Sequence, residues 1–258
     1  MEFLDGCSQY ADAFTGAAST TFNITLNATA IADANTQADV ANGRLYIALL
    51  HENDFEFNED LFENPETTGS MIGNIDGGRF YAAEQSGTSN DPALTIGHTD
   101  GSSDTVYTAT TGNDDDCYLI STGTGDNSGG AARNATTASG ANANLVNIFV
   151  AHSKVQFGGF INSRILYRSF LAFDVTGSSS KTINSLSLKL VSMANMTGFT
   201  VSNWNSRKVY LCKTTFSAGA NMDSTANWNA LDGWASSGSY APAAAAPAEN
   251  AIFFGANF

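Results

Sequence analysis

The chain has 258 residues and a formal net charge of −14, and 43% of its residues are hydrophobic while only 14% are charged. A hydrophobic fraction of this size can bury a core, which excludes a wholly disordered chain. The acidic balance also argues against a nucleic-acid-binding protein, because such proteins need clustered Lys and Arg to neutralise phosphates.

Several segments have the pattern of β-strands. Residues 21–31 and 183–190 alternate polar and apolar side chains with a period of two, which is typical of half-buried strands. The residues predicted to face a core are Phe22, Ile24 and Leu26 in the first segment and Leu186, Leu188 and Leu190 in the second. Further strands are predicted at 44–50, 79–83, 104–110, 117–121, 145–151, 164–175, 208–216 and 251–254.

The segment 164–175 is among the most apolar stretches of the chain, which predicts a central strand that is covered on both faces. Helical periodicity is scarce. We expect a short helix within 8–18, whereas Pro242 and Pro247 favour an extended stretch in the alanine-rich segment 241–249. These patterns predict an all-β protein built as an antiparallel β-sandwich or jelly roll, in one sandwich or two.

Composition changes near the middle of the chain. Residues 1–150 hold 21 acidic and three basic residues, whereas the rest holds four acidic and eight basic ones. Residues 121–144 carry no large apolar side chain, so we interpret them as a linker. We therefore expect two parts: an acidic β-rich region, 1–144, that ends in this linker, and a sandwich, 145–258, that ends in an arm, 241–258.

Catalytic motifs are weak. The string GDNSGG, 125–130, superficially resembles the nucleophile loop of serine proteases, but an Asn interrupts it and no His–Asp context supports it. His51, His98 and His152 are isolated in the sequence, and we interpret them as structural. We expect no enzyme, although a carboxylate pair of the glycoside hydrolase type stays open, since such a pair meets only in three dimensions.

Three consecutive acids form the one candidate metal site. Asp114, Asp115 and Asp116 could supply oxygen ligands to calcium, but the EF-hand spacing is absent, and a solvated acidic turn is the alternative. No other cofactor is expected.

The three cysteines have no CxxC or metal-ligand spacing. We interpret them as small buried hydrophobic residues and leave their pairing open. The first residues carry acids and no positive region, so we expect no signal peptide. No apolar run approaches the ~20 residues of a membrane helix, so no membrane partner is expected.

Two groups of apolar side chains are candidates for binding. Trp204, Trp228 and Trp234 could stack against sugar rings, although packing in the core is the alternative. The sequence AENAIFFGANF places Ile252, Phe253, Phe254 and Phe258 after a flexible Ala/Pro stretch. We expect these four residues to cover an apolar surface, either on this chain or on a neighbouring subunit.

One long segment resembles a known family. In RSFLAFDVTGSSSKTINSLSLKLVS, 168–192, the residues Arg168, Leu171, Phe173 and Asp174 precede a short turn and a strand with alternating leucines. This pattern, with the downstream KVYLCKTTF and STANWNALDGW, resembles DNRLRE-type β-sandwich domains over about residues 145–240. The hexapeptide that names the family is absent. The resemblance implies a jelly-roll sandwich of the kind seen in cell-surface, carbohydrate-binding and virion proteins, and it implies no catalytic residues.

The opening MEFLDGCSQYADA is similar to the start of many virion proteins of tailed phages. Together the two resemblances imply a structural virion protein that is made in the host cytoplasm. It would be a capsid decoration or cement protein, or a head or tail fibre module, and it would assemble with itself and with other virion proteins such as capsid. A carbohydrate-binding module that contacts host-surface glycan is the alternative.

Overall fold

The computed structural model describes residues 7–55, 72–84, 86–108, 115–124, 130–143, 146–157, 160–194, 201–202 and 207–233. The fold is mostly β, with two sheets whose pairings are antiparallel except at one short edge strand, and it has the sandwich-like architecture that the sequence predicts. No helix among the described residues is both long and apolar enough to cross a membrane.

The larger sheet has nine strands. They are β1 (Phe14–Thr15), β3 (Arg44–His51), β4 (Ile72–Tyr81), β7 (Asp116–Thr124), β8 (Gly140–Ala143), β9 (Asn147–Phe157), β10 (Phe160–Asp174), β12 (Val201–Ser202) and β13 (Lys208–Lys213). The strand order is β1-β13-β3-β10-β9-β4-β12, and β7 pairs with both β10 and β8. The long strand β10 therefore pairs with three others and organises the sheet.

The smaller sheet has four strands in the order β2-β11-β5-β6. They are β2 (Thr21–Thr25), β5 (Ala93–His98), β6 (Ser103–Tyr107) and β11 (Ile183–Val191). The helices are α1 (Ala28–Ala38), α2 (Glu52–Phe55) and α3 (Gly130–Arg133), with 3-10 turns at Thr176–Ser178 and Thr225–Asn229.

The larger sheet is packed on both faces. A first core cluster combines Leu171 and Phe173 of β10 with Leu188 of the smaller sheet and alanines of α1. A second core cluster contains Phe170 and Ala172 of β10 and lies on the opposite face, under α2, α3 and the turn Thr225–Asn229. The prediction that 164–175 forms a central strand covered on both faces is thus confirmed where its side chains are described, because successive residues of a strand point to opposite faces.

The alternating segments also have the predicted orientation. Leu186, Leu188 and Leu190 are buried, and Leu26 is buried beside the partly buried Phe22 and Ile24. Strands are present at the other predicted positions that the structure describes, with ends that differ by several residues. The predicted strand 251–254 lies outside the described residues.

Two expectations about helices are wrong or incomplete. Residues 8–18 form no helix, because their backbone pairs with β13 instead, as in the bond from the Tyr10 amide to the Leu211 carbonyl at 2.8 Å. The predicted strand 21–31 ends at Thr25, and residues 28–31 belong to α1, which the sequence analysis missed. This helix begins where the Asn27 side chain accepts a hydrogen bond from the Ala30 amide. This helix buries only alanines, so it has no stripe of large apolar residues in the sequence.

The expected division at 144/145 is also wrong. Each described strand after residue 144 pairs with at least one strand from before it, for example β11 with β2 and β5, and β10 with β3 and β7. The predicted linker 121–144 contains the end of β7, all of α3 and all of β8. Small polar residues can form strands when tertiary pairing supplies the hydrogen bonds, so composition alone misplaced this boundary.

The interpretation of the cysteines is corrected for two of the three. Cys7 and Cys212 form a disulfide, with their Cα atoms 6.1 Å apart, whereas Cys117 is a buried free thiol. The partners lie 205 residues apart in the sequence, which explains why spacing gave no sign of the bond.

Candidate functional site

The main cluster of charged side chains surrounds Arg168, in the middle of β10. This guanidinium lies on the same face as Phe170 and is fully buried. Its Nε and Nη2 donate to the two carboxylate oxygens of Asp54, at 2.6 and 2.8 Å. Asp54 is fully buried as well. The geometry is the two-pronged pairing that a planar guanidinium makes with a carboxylate.

The remaining donors of Arg168 bind the segments that cover this face of the sheet. Its Nη1 donates to the Trp228 carbonyl at 2.6 Å and to Oδ1 of Asn229 at 3.2 Å, and its Nη2 also contacts the Arg133 carbonyl at 3.4 Å. The guanidinium carbon lies 4.0 Å from the centre of the Trp228 ring. One side chain therefore joins α2, α3 and the turn Thr225–Asn229 to β10.

A second cation, Arg133, reinforces the same carboxylate. Its Nε donates to the Asp54 carbonyl at 2.7 Å and lies 3.8 Å from the Asp54 Oδ1. The Arg133 carbonyl in turn accepts from the Trp228 indole at 3.3 Å. The pair of positive charges compensates the buried carboxylate, which would otherwise be very costly to desolvate.

This cluster, which we call the arginine hub (Asp54, Arg133, Arg168, Trp228 and Asn229), is suited to holding structure. Both oxygens of Asp54 accept bonds, and each nitrogen of the Arg168 guanidinium donates, so the groups are already engaged within the fold. A solitary Arg inside an apolar run was a sequence signal for a buried counter-ion, but nothing in the sequence identified Asp54 as that ion.

The hub also joins two segments of the family resemblance. Arg168 belongs to the first resembling segment, and Trp228 and Asn229 belong to the downstream STANWNALDGW. The structure brings these segments, about 60 residues apart, into direct contact.

The tryptophans do not form the predicted sugar-stacking set. Trp228 is fully buried, with one ring face against Arg168, so the core-packing interpretation is confirmed for this residue and the sugar-stacking one is wrong. Trp204 and Trp234 lie outside the described residues, and so do the predicted interface residues Ile252, Phe253, Phe254 and Phe258.

The candidate calcium ligands have protein partners. Asp115 is buried and forms an ion pair with Arg44. Asp116 accepts from the Ala83 amide at 2.8 Å and from the Thr108 hydroxyl at 3.0 Å. Asp114 lies outside the described residues, and within the described parts of the chain no group of three or more His, Cys, Asp or Glu could hold a metal. The interpretation as a solvated turn is wrong for Asp115 and Asp116, because both are buried. That the loop binds calcium only weakly, if at all, stays a prediction, which titration calorimetry with Asp115→Asn and Asp116→Asn tests.

Two other carboxyl groups, those of Glu84 and Asp91, interact with Asp116. Burial raises the pKa of the Asp116 carboxyl, although its hydrogen bonds from Ala83, Thr108 and Glu84 oppose the shift and the nearby Asp91 adds to it. Burial also raises the pKa of Asp91, against the attraction of Lys189. The fold therefore favours the neutral form of these acids, as expected where a carboxylate loses its water.

His98 is not isolated in the fold. Its Nε2 lies 3.0 Å from the Ser178 hydroxyl, and its Nδ1 lies 3.2 Å from the Ser102 hydroxyl. Ser102 donates to Oδ1 of Asp100 at 2.6 Å and accepts from Lys181 at 3.2 Å. The single hydroxyl hydrogen of Ser102 is thus directed to Asp100 and not to the imidazole. His98 therefore does not activate Ser102 as a nucleophile, and these hydrogen bonds stabilise the turn between β5 and β6.

The outer face of the smaller sheet carries a row of hydroxyl side chains. The strand registers align Thr25, Ser187, Thr95 and Thr105 across all four strands. In the adjacent row, Tyr107 is 42% exposed, and the Lys189 ammonium lies 6.0 Å from the centre of its ring. We call these six residues the hydroxyl face. It is polar, with Lys189 as the one charged residue of the six, and the aromatic ring of Tyr107 lies on the edge strand β6.

Comparison of the chain with protein-family models, curated proteins and solved structures finds no match.

Proposed function

We propose that this chain is a non-catalytic structural protein of a tailed-phage virion. It would be made in the host cytoplasm, assemble as a homo-oligomer and contact other virion proteins such as capsid. Its place would be that of a capsid decoration or cement protein, or of a head or tail fibre module.

The observation that carries the proposal is the contact between Arg168 and the segment containing Trp228 and Asn229. These are parts of the chain that resemble DNRLRE-type sandwich domains, which occur among virion proteins. The contact explains why the resemblance includes Arg168, Trp228 and Asn229 together, since all three belong to the same buried hydrogen-bond network. The phage-like opening MEFLDGCSQYADA supports the virion over the other settings of that fold.

The use of charge in the fold also supports a structural role. In the hub, two arginines and a carboxylate hold α2, α3 and the turn Thr225–Asn229 against the central strand β10. Ser102 and His98 likewise tie a turn to neighbouring segments. In these two clusters of the described part of the chain, side chains that could do acid–base chemistry are bonded into the scaffold, whereas a general base must be able to reach a substrate proton.

Purified particles provide the direct test. Antibodies against the recombinant chain are used to find it in particles banded on a density gradient, and mass spectrometry then measures its copy number relative to the major capsid protein. We expect the chain to band with the particles in a fixed, symmetry-related ratio. Its recovery only in the soluble fraction of the lysate, with none in the band, would refute the proposal.

The oligomer is tested separately. Light scattering on the full chain should give a multiple of its 27.0 kDa mass. Deletion of 241–258, which removes Ile252, Phe253, Phe254 and Phe258, should leave a folded monomer if this segment joins subunits. An unchanged oligomer would refute the role of this segment, and an unfolded chain would show that it completes the core of its own subunit.

The hydroxyl face favours a second candidate, binding of a neutral host-surface glycan. Short hydroxyl side chains in register can exchange hydrogen bonds with sugar hydroxyls, and Tyr107 offers an exposed ring for stacking. A glycan array tests this function, with Tyr107→Ala and Thr95→Ala expected to abolish binding. Val40→Ala is the control, because Val40 is 41% exposed but lies outside this face. Absence of binding by the unmodified chain would exclude the candidate for the glycans on the array.

A further inference from the structure

The disulfide fastens the first described segment of the chain to the edge of the larger sheet. Cys7 is 5% exposed and Cys212 is fully buried, and both belong to the second core cluster. Cys212 lies in β13, whereas Cys7 precedes the short edge strand β1. The bond thus joins an irregular segment to a regular strand.

Backbone hydrogen bonds hold the same segment along β13. The Lys213 amide donates to the Ser8 carbonyl at 2.7 Å, and the Tyr10 amide donates to the Leu211 carbonyl at 2.8 Å. Further along, the Gly16 amide donates to the Arg207 carbonyl at 2.8 Å. Segment 7–16 therefore acts as an extra edge strand, which occupies backbone groups of β13 that would otherwise be open to another chain.

The third cysteine cannot replace either partner. The registers place Cys212, Ala48, Phe170 and Cys117 in one row across β13, β3, β10 and β7. Three strand spacings separate the two cysteines, roughly 14 Å, which is far beyond the reach of a disulfide. Cys117 is therefore a matched control: it is buried in the same core cluster but outside the bond.

We propose that Cys7 and Cys212 form a redox lock, a reversible modification site that controls whether segment 7–16 can leave the edge of β13. The oxidised pair holds the segment covalently. In the reduced pair the segment is held without a covalent bond, by backbone hydrogen bonds and by the packing of Tyr10, Ala11 and Phe14 in the first core cluster. It can then detach and expose the backbone of Leu211 and Lys213. This inference does not depend on the proposed function.

The chemistry is a thiol–disulfide exchange with a glutathione-type disulfide as oxidant. The Cys7 thiolate attacks that disulfide, forms a mixed disulfide and releases one glutathione thiol. The Cys212 thiolate then attacks the Cys7 sulfur and releases the second. Two protein thiols lose two protons and two electrons in total, and one glutathione disulfide becomes two glutathione thiols. A reducing cytosol favours the open form, and an oxidising exterior favours the locked form.

Burial of the two sulfur atoms limits the rate at which a reductant can reach the disulfide. With Cys212 fully buried, a reductant reaches the bond only through a local opening of the structure around the two sulfurs. The Tyr10 hydroxyl donates to Asp33 of α1 at 2.8 Å, and this contact opposes detachment of the segment in both redox states. Reduction of the folded chain should accordingly be slow.

Peptide mapping of the oxidised protein tests the pairing. Trypsin places Cys7 in peptide 1–44, Cys117 in 80–133 and Cys212 in 209–213. Without reductant, mass spectrometry should find 1–44 joined to 209–213. A link from 80–133 to either of the other peptides, or three free thiols after incubation with oxidised glutathione, would overturn the proposal.

Hydrogen exchange and thermal unfolding test the lock itself. Reduction should raise exchange in 7–16 and 208–213 while β11 and β5 stay protected, and it should lower the melting temperature by about 5–15 °C. Cys117→Ser should keep the full response, whereas Cys7→Ser with Cys212→Ser should resemble the reduced chain in both conditions. The proposal is wrong if the variant with both Cys7→Ser and Cys212→Ser, or the reduced wild type, has the same hydrogen-exchange rates and melting temperature as the oxidised wild type.

Discussion

The carboxylate of Asp54 accepts two hydrogen bonds from the guanidinium of Arg168, and neither side chain is exposed to solvent. A buried ion pair of this kind is costly to form but far more costly to break on one side, because the surviving charge has no water to compensate it. The pair therefore fastens α2 to β10, and loss of either member should be strongly destabilising.

Replacement of Arg168 should be severely destabilising. Arg168→Lys keeps the charge but cannot bind both oxygens of Asp54 together with the Trp228 carbonyl, so we expect a loss of about 3–5 kcal/mol in urea denaturation. Arg44→Lys is the matched control, since Arg44 also pairs with an Asp but is partly exposed, and it should cost less than about 1 kcal/mol. Equal losses for the two variants would contradict the special role of the hub.

Leu188 should report on the register of the smaller sheet. Its side chain is fully buried in the first core cluster, so Leu188→Ala should cost about 2–5 kcal/mol and Leu188→Asp more, because the aspartate adds a buried charge. Ser185→Asp, at an exposed position of the same strand, should change stability by less than about 0.5 kcal/mol. A melting temperature unaffected by Leu188→Asp would show that this face is not in the core.

His51 should stay neutral in the folded protein well into the acidic range. Burial, with a smaller contribution from Arg207 and against that of Asp54, lowers the pKa of His51 to about 3. Since this pKa lies below that of the unfolded chain, the contribution of His51 to stability is present above about pH 6.5 and is lost as the pH falls toward 3, by about 1.4 kcal/mol per pH unit.

Ring-proton NMR measures this directly. The His51 signals of the folded chain should not titrate between about pH 7 and pH 4.5, whereas in urea they should titrate near the model value of 6.5. A folded-state midpoint near neutrality would mean that the ring is hydrated.

Asp116 should tolerate loss of its charge better than loss of its oxygens. Asp116→Asn keeps an acceptor for the Ala83 amide and the Thr108 hydroxyl, whereas Asp116→Ala leaves both donors unsatisfied, at about 1–3 kcal/mol. Because burial raises the pKa of this carboxyl, its favourable contribution is present at low pH and is lost as the pH rises through the folded-state pKa.

The stability of Asp116→Asn relative to wild type should therefore grow from about pH 4 to pH 7 in urea denaturation series. A difference that shrinks over the same range would show that the carboxylate is stabilised in the fold, contrary to the raised pKa.

Local pattern was sufficient for the β class and for the buried faces of several strands. Period-two alternation predicted the inward side of Leu186, Leu188 and Leu190, and the apolar run around Phe170 predicted a strand packed on both faces. Such patterns are informative because the side chains of a strand alternate between faces wherever the strand is placed.

Only the tertiary structure determined which strands pair, and that relation decides the rest. Strands from both halves of the chain pair in each sheet, and residues 8–18 form an edge segment instead of the predicted helix. The disulfide joins Cys7 to Cys212, and Arg168 pairs with Asp54. Each of these contacts joins residues that are far apart in sequence. A contact of this kind leaves no local periodicity, since its energy comes from burial and pairing that exist only once the sheets have assembled.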